Sequence, residues 1–581
     1  MRFKYNLIKK VVFPISIFLI HTCFAQNPIT FETSGGKQSE GYKDCILWYK
    51  KLAEINDKVR LFSLDTTDAG FPIHVLLFSS HKKFDPALWH KQNKVIILVN
   101  NGIHPGEPDG IDASMMLLRD LCSGKIKAPD NVVLAVIPVY NIGGSLNRNS
   151  FSRVNQNGPE SYGFRGNSQN LDLNRDFIKC DSKEAKAFTK IFHWLNPDIF
   201  IDNHVSDGAD YQHTMTMLTT QHNKLGGATG KFLHDVFEPA LYKGMEEKKW
   251  FMCPYVNFEE GNVEEGWSAF YDAPRYSCGY AALFQTIAFL PETHMLKPFA
   301  DRVKSTYAFM QTVLEQSAAY AKDILESRKL SRQQVAAQQQ FALSWKTDSV
   351  NYEWINFKGY TADSTVSKVT GMKRLFYDHS RPFETKVKFY NTFTGINVVT
   401  KPKAYIIPQG WHAVVELLKM NNVAIDRLKK DTSITVEAYH IDGYKSYPKA
   451  YEKHHRNYDI SMSSSKQEIK FLKGDYIIFT GKPTDRYVVE TLEPLGDDSF
   501  FSWNFFDAIL QQKEGYSDYR WEDVAAKYLD EHPEVRKLLE DKKQSDKIFA
   551  MSVESQLRYV YTHSPYYEPE HMRYPVFRLV N

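Results

Sequence analysis

Continuous apolar runs alternate with helical patterns along the first half of the chain. The runs are typical of strands covered on both faces of a sheet, and they lie at residues 94–99, 131–139, 198–202 and 282–290. Helical patterns lie at residues 111–121, 182–195 and 299–341, with Ser182 as a suitable N-cap. This alternation predicts an α/β domain with a mixed, mainly parallel sheet and helices on both faces.

The pattern changes near residue 345, after a polar run that suits the exposed end of a helix. Beyond it, short segments rich in Val, Ile, Thr and Tyr are typical of strands, at residues 351–357, 384–390, 396–399, 433–439 and 475–480. A helical pattern returns at residues 522–541. We therefore predict that residues 26–345 form one domain and residues 346–581 a β-rich C-terminal domain of unknown role.

Residues 1–25 have the layout of a secretory signal peptide. Arg2, Lys4, Lys9 and Lys10 precede an apolar run at residues 11–20, and a small-residue exit ends at Ala25. The run is too short to span a bilayer comfortably. We expect cleavage after residue 25, a secreted or periplasmic protein, and no stable membrane insertion. An uncleaved anchor is the alternative.

Composition and charge narrow the class of protein. Apolar residues make up 43% of the chain and charged residues 24%, which is ordinary globular usage and excludes a disordered, collagen-like or coiled-coil chain. The formal charge of +3 falls to −1 without the four basic leader residues, so no electrostatic reason exists to expect nucleic acid as a partner. Among the five remaining cysteines, Cys253 and Cys278 could pair in an oxidising compartment; buried thiols are the alternative.

Residues with metal-binding and acid–base chemistry follow three of the predicted strands. His104 and Glu107 follow the first strand, His204 the third, and Glu292 the fourth. In open α/β sheets, reactive groups collect beyond the carboxyl ends of strands. Two imidazoles and one carboxylate form the ligand set of a catalytic zinc site, and we expect Gly106 to permit the tight turn between His104 and Glu107.

The motifs resemble those of the carboxypeptidase A-like zinc carboxypeptidases. His-Pro-Gly-Glu at residues 104–107, Asp-Leu-Asn-Arg at residues 172–175, and the later strand-end His204 and Glu292 occur in that family's order. Arg165 precedes the Asn of the second motif with the spacing of the cytosolic branch of the family. The resemblance covers about residues 40–325 and implies a zinc carboxypeptidase-like fold, one Zn²⁺ per chain and a peptide substrate.

The resemblance also implies a role for each matching residue. His104, Glu107 and His204 would bind zinc, and Asp172 would hold the His104 ring from behind. The remaining matches would act on the substrate. Arg165 would stabilise the oxyanion, Asn174 and Arg175 would bind the terminal carboxylate, and Glu292 would be the general base toward water activated by zinc.

Several points stay open at the level of sequence. Tyr271, Tyr276 and Tyr280 compete as the tyrosine that closes over the substrate. Residues 277–283, expected to line the specificity pocket, carry no charge, whereas Arg275 could favour an acidic group. A zinc amidohydrolase that deacylates small N-acyl amino acids and a non-catalytic surface binding protein are the alternative functions. The sequence leaves the oligomeric state undetermined.

Overall fold

The computed structural model of the protein describes residues 28–257 and 263–580. The predicted signal peptide therefore lies outside the described residues. Within these ranges, no helix combines the length and the apolar character that crossing a membrane requires.

The first part of the chain alternates strands and helices. Its strands are β1 (Val59–Thr66), β2 (Pro72–Phe78), β3 (Val95–Asn100), β4 (Val132–Ile137), β5 (Ile199–Asp202), β6 (His204–Ser206), β7 (Met215–Thr219), β8 (Met252–Pro254), β9 (Trp267–Ser268) and β10 (Ile287–His294). Its helices are α1 (Thr30–Thr33), α2 (Tyr42–Ile55), α3 (Pro86–Lys91), α4 (Asp109–Ser123), α5 (Ile142–Leu146), α6 (Lys183–Leu195), α7 (His222–Leu225), α8 (Gly227–Phe232), α9 (Glu238–Glu247), α10 (Ser277–Ala282), α11 (Phe299–Ala319) and α12 (Ala321–Ala337).

All of these strands except β9 build a central sheet with the order β1-β2-β4-β3-β5-β10-β7-β8, and β6 also pairs with β10. Strands β3, β4 and β5 run parallel, as do β10 with β5 and β6, whereas β1–β2, β2–β4 and β7–β10 are antiparallel. Alternate residues of β3 enter two separate cores, one shared with α6 and the other with α4 and α11. The prediction of a mixed, mainly parallel sheet with helices on both faces is confirmed.

Two of the predicted elements differ from the structure. Residues 277–282 form α10, and the last strand begins only at Ile287 and continues to His294 because it pairs with both β6 and β7 there. The predicted long helix is interrupted at Tyr320, and residues 340–347 form a strand that buries Phe341 and Leu343. At residues 340–347, antiparallel pairing with residues 393–400 overrides the local helical pattern.

The C-terminal region contains additional β-rich sheets, as predicted. Its strands are β11 (Gln340–Thr347), β12 (Glu353–Val366), β13 (Lys373–Tyr390), β14 (Phe393–Thr400), β15 (Ala404–Ile407), β16 (Asp426–Arg427), β17 (Thr432–Ser446), β18 (Asn457–Phe471), β19 (Tyr476–Phe479) and β20 (Phe577–Leu579). Its helices are α13 (His412–Met420), α14 (Asp485–Leu492), α15 (Asp518–Glu531), α16 (Pro533–Ser545), α17 (Lys547–Ala550) and α18 (Val553–Thr562). Pro533 divides the single helix predicted at residues 522–541 into two.

The two regions of the chain share one hydrophobic core. Tyr280 and Phe284 belong to the same buried cluster as Tyr487 and Trp503. The hydroxyl of Tyr280 donates a hydrogen bond to Asn421 Oδ1 at 2.6 Å. The predicted boundary at residue 345 falls inside β11, and the division into domains stays a prediction.

The five cysteines of the described ranges are free thiols, so Cys253 and Cys278 do not form a disulfide. Both side chains are buried. Burial raises the pKa of the Cys278 thiol well above its ordinary value, and it raises the pKa of Cys180 to about 12. The alternative of buried, unreactive thiols therefore holds for these residues.

Candidate metal centre

The carboxyl ends of neighbouring strands bring the predicted site residues together. His104 and Glu107 lie in the loop between β3 and α4, and His204 is the first residue of β6. Glu292 lies on β10 directly opposite His204 in the parallel pairing. The buried apolar runs of β3 and β5 place these loops at one edge of the sheet, where their side chains converge.

His104, Glu107 and His204 form a compact donor set. One ligand atom from each lies within 4.8 Å of the other two. The centroids of the two imidazole rings are 5.0 Å apart. These separations allow three side chains that are distant in sequence to bind one ion.

Each imidazole is held from behind by a carboxylate. His104 Nε2 donates a hydrogen bond to Asp172 Oδ1 at 2.9 Å, and His204 Nε2 donates one to Asp202 Oδ2 at 3.1 Å. The Nδ1 atoms therefore face Glu107, at 3.3 Å from Oε1 and 3.2 Å from Oε2. Carboxylate–histidine pairs of this kind fix the ring orientation and increase ligand basicity in metal sites.

The donor set fits zinc. His104 Nδ1 is buried and forms no hydrogen bond within the described ranges. A buried nitrogen without a partner costs free energy, and a cation would satisfy it. Two imidazole nitrogens and one carboxylate are the donors that catalytic zinc sites use.

Electrostatics also favour a cation at this point. Burial alone would lower the pKa of His204, but the carboxylates of Asp202 and Glu107 raise it well above the ordinary value. Burial opposes ionisation of Asp172, yet the adjacent His104 and Arg165 lower the pKa of this carboxyl. The site thus stabilises positive charge, which a metal ion can supply in place of a proton.

Sequence reasoning missed two members of this network. Asp202 carries a readable signal, since Asp-x-His at a strand end places both side chains on one edge. Arg153 carries none: it reaches Glu107 Oε1 from a distant loop, with Nη1 at 2.8 Å. The backbone N–H of Val205 donates to the other oxygen of Glu107 at 2.9 Å, so each carboxylate oxygen has a fixed donor.

Gly106 was predicted to permit the tight turn between His104 and Glu107, and this reason for the glycine is wrong. Its backbone φ lies outside the left-handed region, so the turn does not require glycine for conformational freedom. A Cβ at this position would instead lie 2.6 Å from Cδ of Arg153. The absence of a side chain leaves room for the arginine that contacts Glu107.

A cavity of about 380 Å³ opens beside the donor set. His104, Glu107 and His204 line it, together with Arg165, Asn174, Arg175 and Glu292. Asp172 lies behind His104 rather than in the lining. The fold thus brings the predicted residues to a single site.

Arg165 and Arg175 both approach the same carboxylate oxygen of Asp172, Oδ2. Arg165 Nε donates to Asp172 Oδ2 at 2.9 Å, and its Nη1 lies 3.6 Å from Glu107 Oε1. Arg175 Nη1 lies 3.8 Å from Asp172 Oδ2. Asn174 Oδ1 accepts a hydrogen bond from the backbone N–H of Ser277 at 3.2 Å, which fixes the amide.

Glu292 has the environment of a group whose proton is easily exchanged. Burial raises the pKa of Glu292 to about 8, and Glu107 adds to this shift while His204 opposes it. A cation in the donor set would lower this pKa, since positive charge stabilises the carboxylate. A carboxylate that can take up and return a proton near neutral pH is suited to general acid–base chemistry.

The structure separates the three competing tyrosines. Tyr276 lines the cavity, and its ring centroid lies 4.6 Å from the guanidinium carbon of Arg175. Tyr280 is fully buried, and Tyr271 donates a hydrogen bond to Asp497. Tyr276 is therefore the candidate that faces the site.

The charged groups near the expected specificity pocket also have defined positions. Arg275 pairs with Asp498 Oδ1 at 2.9 Å and is absent from the cavity lining, so it does not offer a charge to an acidic substrate. Asp272 does line the cavity, and Lys224 Nζ lies 2.8 Å from its Oδ1. Lys224 thus compensates the charge of Asp272 from outside the lining, and the apolar side chains of Leu218, Phe270 and Leu290 also line the cavity.

Comparisons with known proteins point to one family. Residues 46–215 match the family model Peptidase_M14, zinc carboxypeptidase. This range includes the three candidate ligands and residues 172–175, whereas Glu292 lies beyond it.

Similar proteins carry the carboxypeptidase name. Carboxypeptidase 2 of Trichophyton rubrum is 22% identical over 451 residues, which cover 74% of this chain and 77% of the fungal protein. Carboxypeptidase 2 of Trichophyton equinum is 20% identical over 433 residues, covering 71% and 74%. Both alignments are longer than the first 345 residues and thus extend into the C-terminal region.

Solved structures give weaker similarities. A metallo-carboxypeptidase from Burkholderia cenocepacia has a TM-score of 0.37 at 15% identity, covering 48% of this chain and 70% of that one. A metallo-carboxypeptidase from Pseudomonas aeruginosa, in complex with (2-guanidinoethylmercapto)succinic acid, has a TM-score of 0.37 at 14% identity, covering 49% and 70%. On the family match, the chain carries a zinc carboxypeptidase domain of the Peptidase_M14 family, and it is a metallocarboxypeptidase whose polypeptide is longer than that domain.

Proposed function

We propose that the protein removes C-terminal residues from peptides, with one Zn²⁺ held by His104, Glu107 and His204. The arrangement of the two imidazoles carries this proposal. Both present Nδ1 to Glu107, and both Nε2 atoms are bound to a carboxylate. Bound there, Zn²⁺ supplies Lewis acidity that polarises a carbonyl and lowers the pKa of water toward about 7.

Polar side chains around the cavity bind the substrate and stabilise the transition state. Arg175, with Asn174 beside it, binds the free carboxylate of the peptide, because a guanidinium can contact both carboxylate oxygens at once. Arg165 faces the carbonyl oxygen at the scissile bond and stabilises the negative charge that develops on it. A single donor of this kind contributes about 3–4 kcal/mol to the transition state.

Glu292 moves the proton. It accepts one from the attacking water and passes it to the leaving nitrogen, which therefore departs as a neutral amine rather than as an amide anion. Its position on β10, opposite His204, keeps the carboxylate beside the donor set. The ring of Tyr276 packs on the guanidinium of Arg175, lines the cavity and would cover a bound C-terminal residue.

We further propose that the protein acts outside the cytoplasm, in the periplasm or after secretion. The basic start, apolar run and small-residue exit of residues 1–25 support this location. Nutrient peptides and the peptide stems of cell wall are the substrates that such a location offers. N-terminal sequencing of the mature protein tests it, since cleavage predicts a chain that begins at Gln26.

Mass spectrometry of products tests the activity. We expect the purified, zinc-loaded protein to shorten members of a mixed peptide pool by single C-terminal residues. N-acyl amino acids in a parallel assay test the deacylase alternative. Cleavage of these alone would reject the carboxypeptidase, and failure of both assays with zinc bound would favour a binding protein.

A further inference from the structure

The tip of the β17–β18 hairpin, residues 447–456, reaches from the C-terminal region to the candidate active site. Tyr451 Oη accepts a hydrogen bond from Arg175 Nε at 2.9 Å. Glu452 Oε2 accepts one from the backbone N–H of Asp172 at 2.8 Å. This hairpin tip therefore contacts both ends of the Asp-Leu-Asn-Arg motif.

The turn at the hairpin tip has a backbone conformation, with positive φ, that residues other than glycine seldom adopt. Tyr451 and His454 pair through both backbone groups, and the two residues between them, Glu452 and Lys453, have φ values of 47° and 75°. Such turns usually contain Asn or Gly, because each residue with a side chain in this region costs about 1 kcal/mol or more. The contacts of Glu452 with the catalytic region offset that cost.

A buried tryptophan fixes the position of the hairpin tip. The ring of Tyr451 stacks on Trp503 with 6.2 Å between centroids and 21° between planes. The guanidinium carbon of Arg456 lies 4.4 Å from the same ring centroid. His454 Nε2 donates a hydrogen bond at 2.8 Å to Oδ2 of Asp181, which lies in the segment that follows Arg175. The hydroxyl of Tyr451 is thus presented from a rigid base.

The contact with Tyr451 leaves one edge of Arg175 available. Nη1 donates to the carbonyl of Asn174 at 2.8 Å, and Tyr276 packs on the face of the guanidinium. Nη2 forms no hydrogen bond within residues 28–257 and 263–580, while Arg175 lines the cavity. Tyr451 holds Nε of Arg175, and Tyr276 packs on the face of its guanidinium. Together they orient Nη2 before any substrate binds.

We propose that Tyr451 is a positioning residue of the active site, supplied by the C-terminal region. It holds the guanidinium of Arg175 in the orientation that binds a peptide's terminal carboxylate. Preorganisation of this kind reduces the entropy that is lost on binding. This inference rests on the proposed function, in which Arg175 recognises that carboxylate.

Kinetics of Tyr451→Phe on matched substrates test the proposal. The variant keeps the ring on Trp503 and removes only the hydroxyl. On peptides with a free C-terminal carboxylate, we expect KM to rise about 5- to 10-fold with kcat changed less than 2-fold, because one hydrogen bond is lost. Tyr447→Phe is the matched control: its ring stacks on Tyr458 in the same hairpin, at 4.4 Å, away from Arg175.

Binding and stability measurements keep the outcomes distinct. Calorimetric titration with a free-acid peptide should show the same loss of affinity for Tyr451→Phe, with no change for the amidated peptide and no shift of Tm. If the wild-type protein cleaves free-acid peptides and Tyr451→Phe has the same KM and affinity, the role of Tyr451 is overturned and the proposed function stands. A zinc-loaded wild-type protein that neither binds nor cleaves such peptides would overturn both proposals.

Discussion

Glu107 shows how closely the candidate metal centre is specified at the level of single atoms. Its Oε1 accepts from Arg153 and lies 3.3 Å from His104, while its Oε2 accepts from the Val205 N–H and faces His204. Burial works against ionisation, but His104 and Arg153 lower the pKa of Glu107 well below its ordinary value. The carboxylate is therefore charged and oriented before a metal binds.

Replacing Glu292 by Gln separates acid–base chemistry from metal binding. The amide cannot take up the proton, so we expect kcat to fall by about 10²–10⁴-fold while zinc content stays at one per chain. His104→Ala is the contrasting variant, because it removes a ligand and should lose zinc as well as activity. Elemental analysis with peptide kinetics measures both. Normal turnover by Glu292→Gln would refute its role as the base.

Arg175→Ala tests recognition of the terminal carboxylate. A charge-assisted hydrogen bond contributes about 1.5–3 kcal/mol, so we expect kcat/KM on free-acid peptides to fall by about 10- to 150-fold. Amidated peptides, which are poor substrates from the start, should lose little. Equal losses on both kinds of peptide would mean that Arg175 has a structural role only.

At the scale of elements, helix α4 connects the metal loop to the N-terminal segment. The helix begins two residues after Glu107, and its first turn carries Asp109 and Asp112, both buried. Asp112 accepts hydrogen bonds from Ser39 Oγ at 2.6 Å and from the Glu40 N–H at 3.2 Å. Burial nevertheless raises the pKa of Asp112 to about 7.

The raised pKa of Asp112 predicts a pH dependence of stability. Between about pH 4 and pH 7, this group is protonated in the folded protein and ionised in the unfolded chain. The unfolded chain then binds fewer protons, so the free energy of unfolding falls as pH rises, by up to about 4 kcal/mol from this group. Asp112→Asn should remove this contribution.

Denaturant unfolding at several pH values measures that effect. The difference between wild type and Asp112→Asn should change between pH 4 and pH 7 in favour of the variant and become constant above pH 7. Asp44→Asn, an exposed acid on α2, is the matched control. A difference that does not vary with pH would show that Asp112 ionises in the same range in both states.

At the scale of the whole molecule, the C-terminal region is part of the structure that supports the catalytic region. Tyr487 packs against Phe284 with 5.3 Å between ring centroids, and Arg486 donates to the backbone carbonyl of Lys224. Arg275, beside Tyr276, is paired with Asp498. The contacts are buried and apolar over much of their extent, so the two regions are expected to unfold together.

Truncation after residue 347 tests this dependence. Removing the rest of the chain would expose the core surfaces of Tyr280 and Phe284, and each such large side chain contributes about 1.5–3 kcal/mol when buried. We expect an aggregation-prone protein without a cooperative thermal transition. Shortening the exposed tip of the β12–β13 hairpin, residues 367–372, is the control that should leave Tm unchanged. A truncated protein that melts cooperatively and binds zinc would establish an independent catalytic domain.

Much of the central sheet was predictable, because β3, β4 and β5 are buried on both faces and therefore read as uninterrupted apolar runs. Ser182 was predictable as an N-cap, and its Oγ accepts from the Ala185 N–H at 3.0 Å. The start of β10 was not, since Ala282, Leu283 and Phe284 extend the apolar run, and only pairing with β5 places the first residue of the strand at Ile287.

The amino-acid order by itself determined the chemistry available to this protein: His104, Glu107, His204 and Glu292 at strand ends, and the Asp-Leu-Asn-Arg motif between them. Local patterns can do this because strand burial and motif spacing are properties of neighbouring residues. Only the tertiary structure decided that Arg153 reaches Glu107 and that Tyr451 arrives at Arg175 from 276 residues further along the chain. Contacts over such separations depend on how whole elements pack, which no local pattern records.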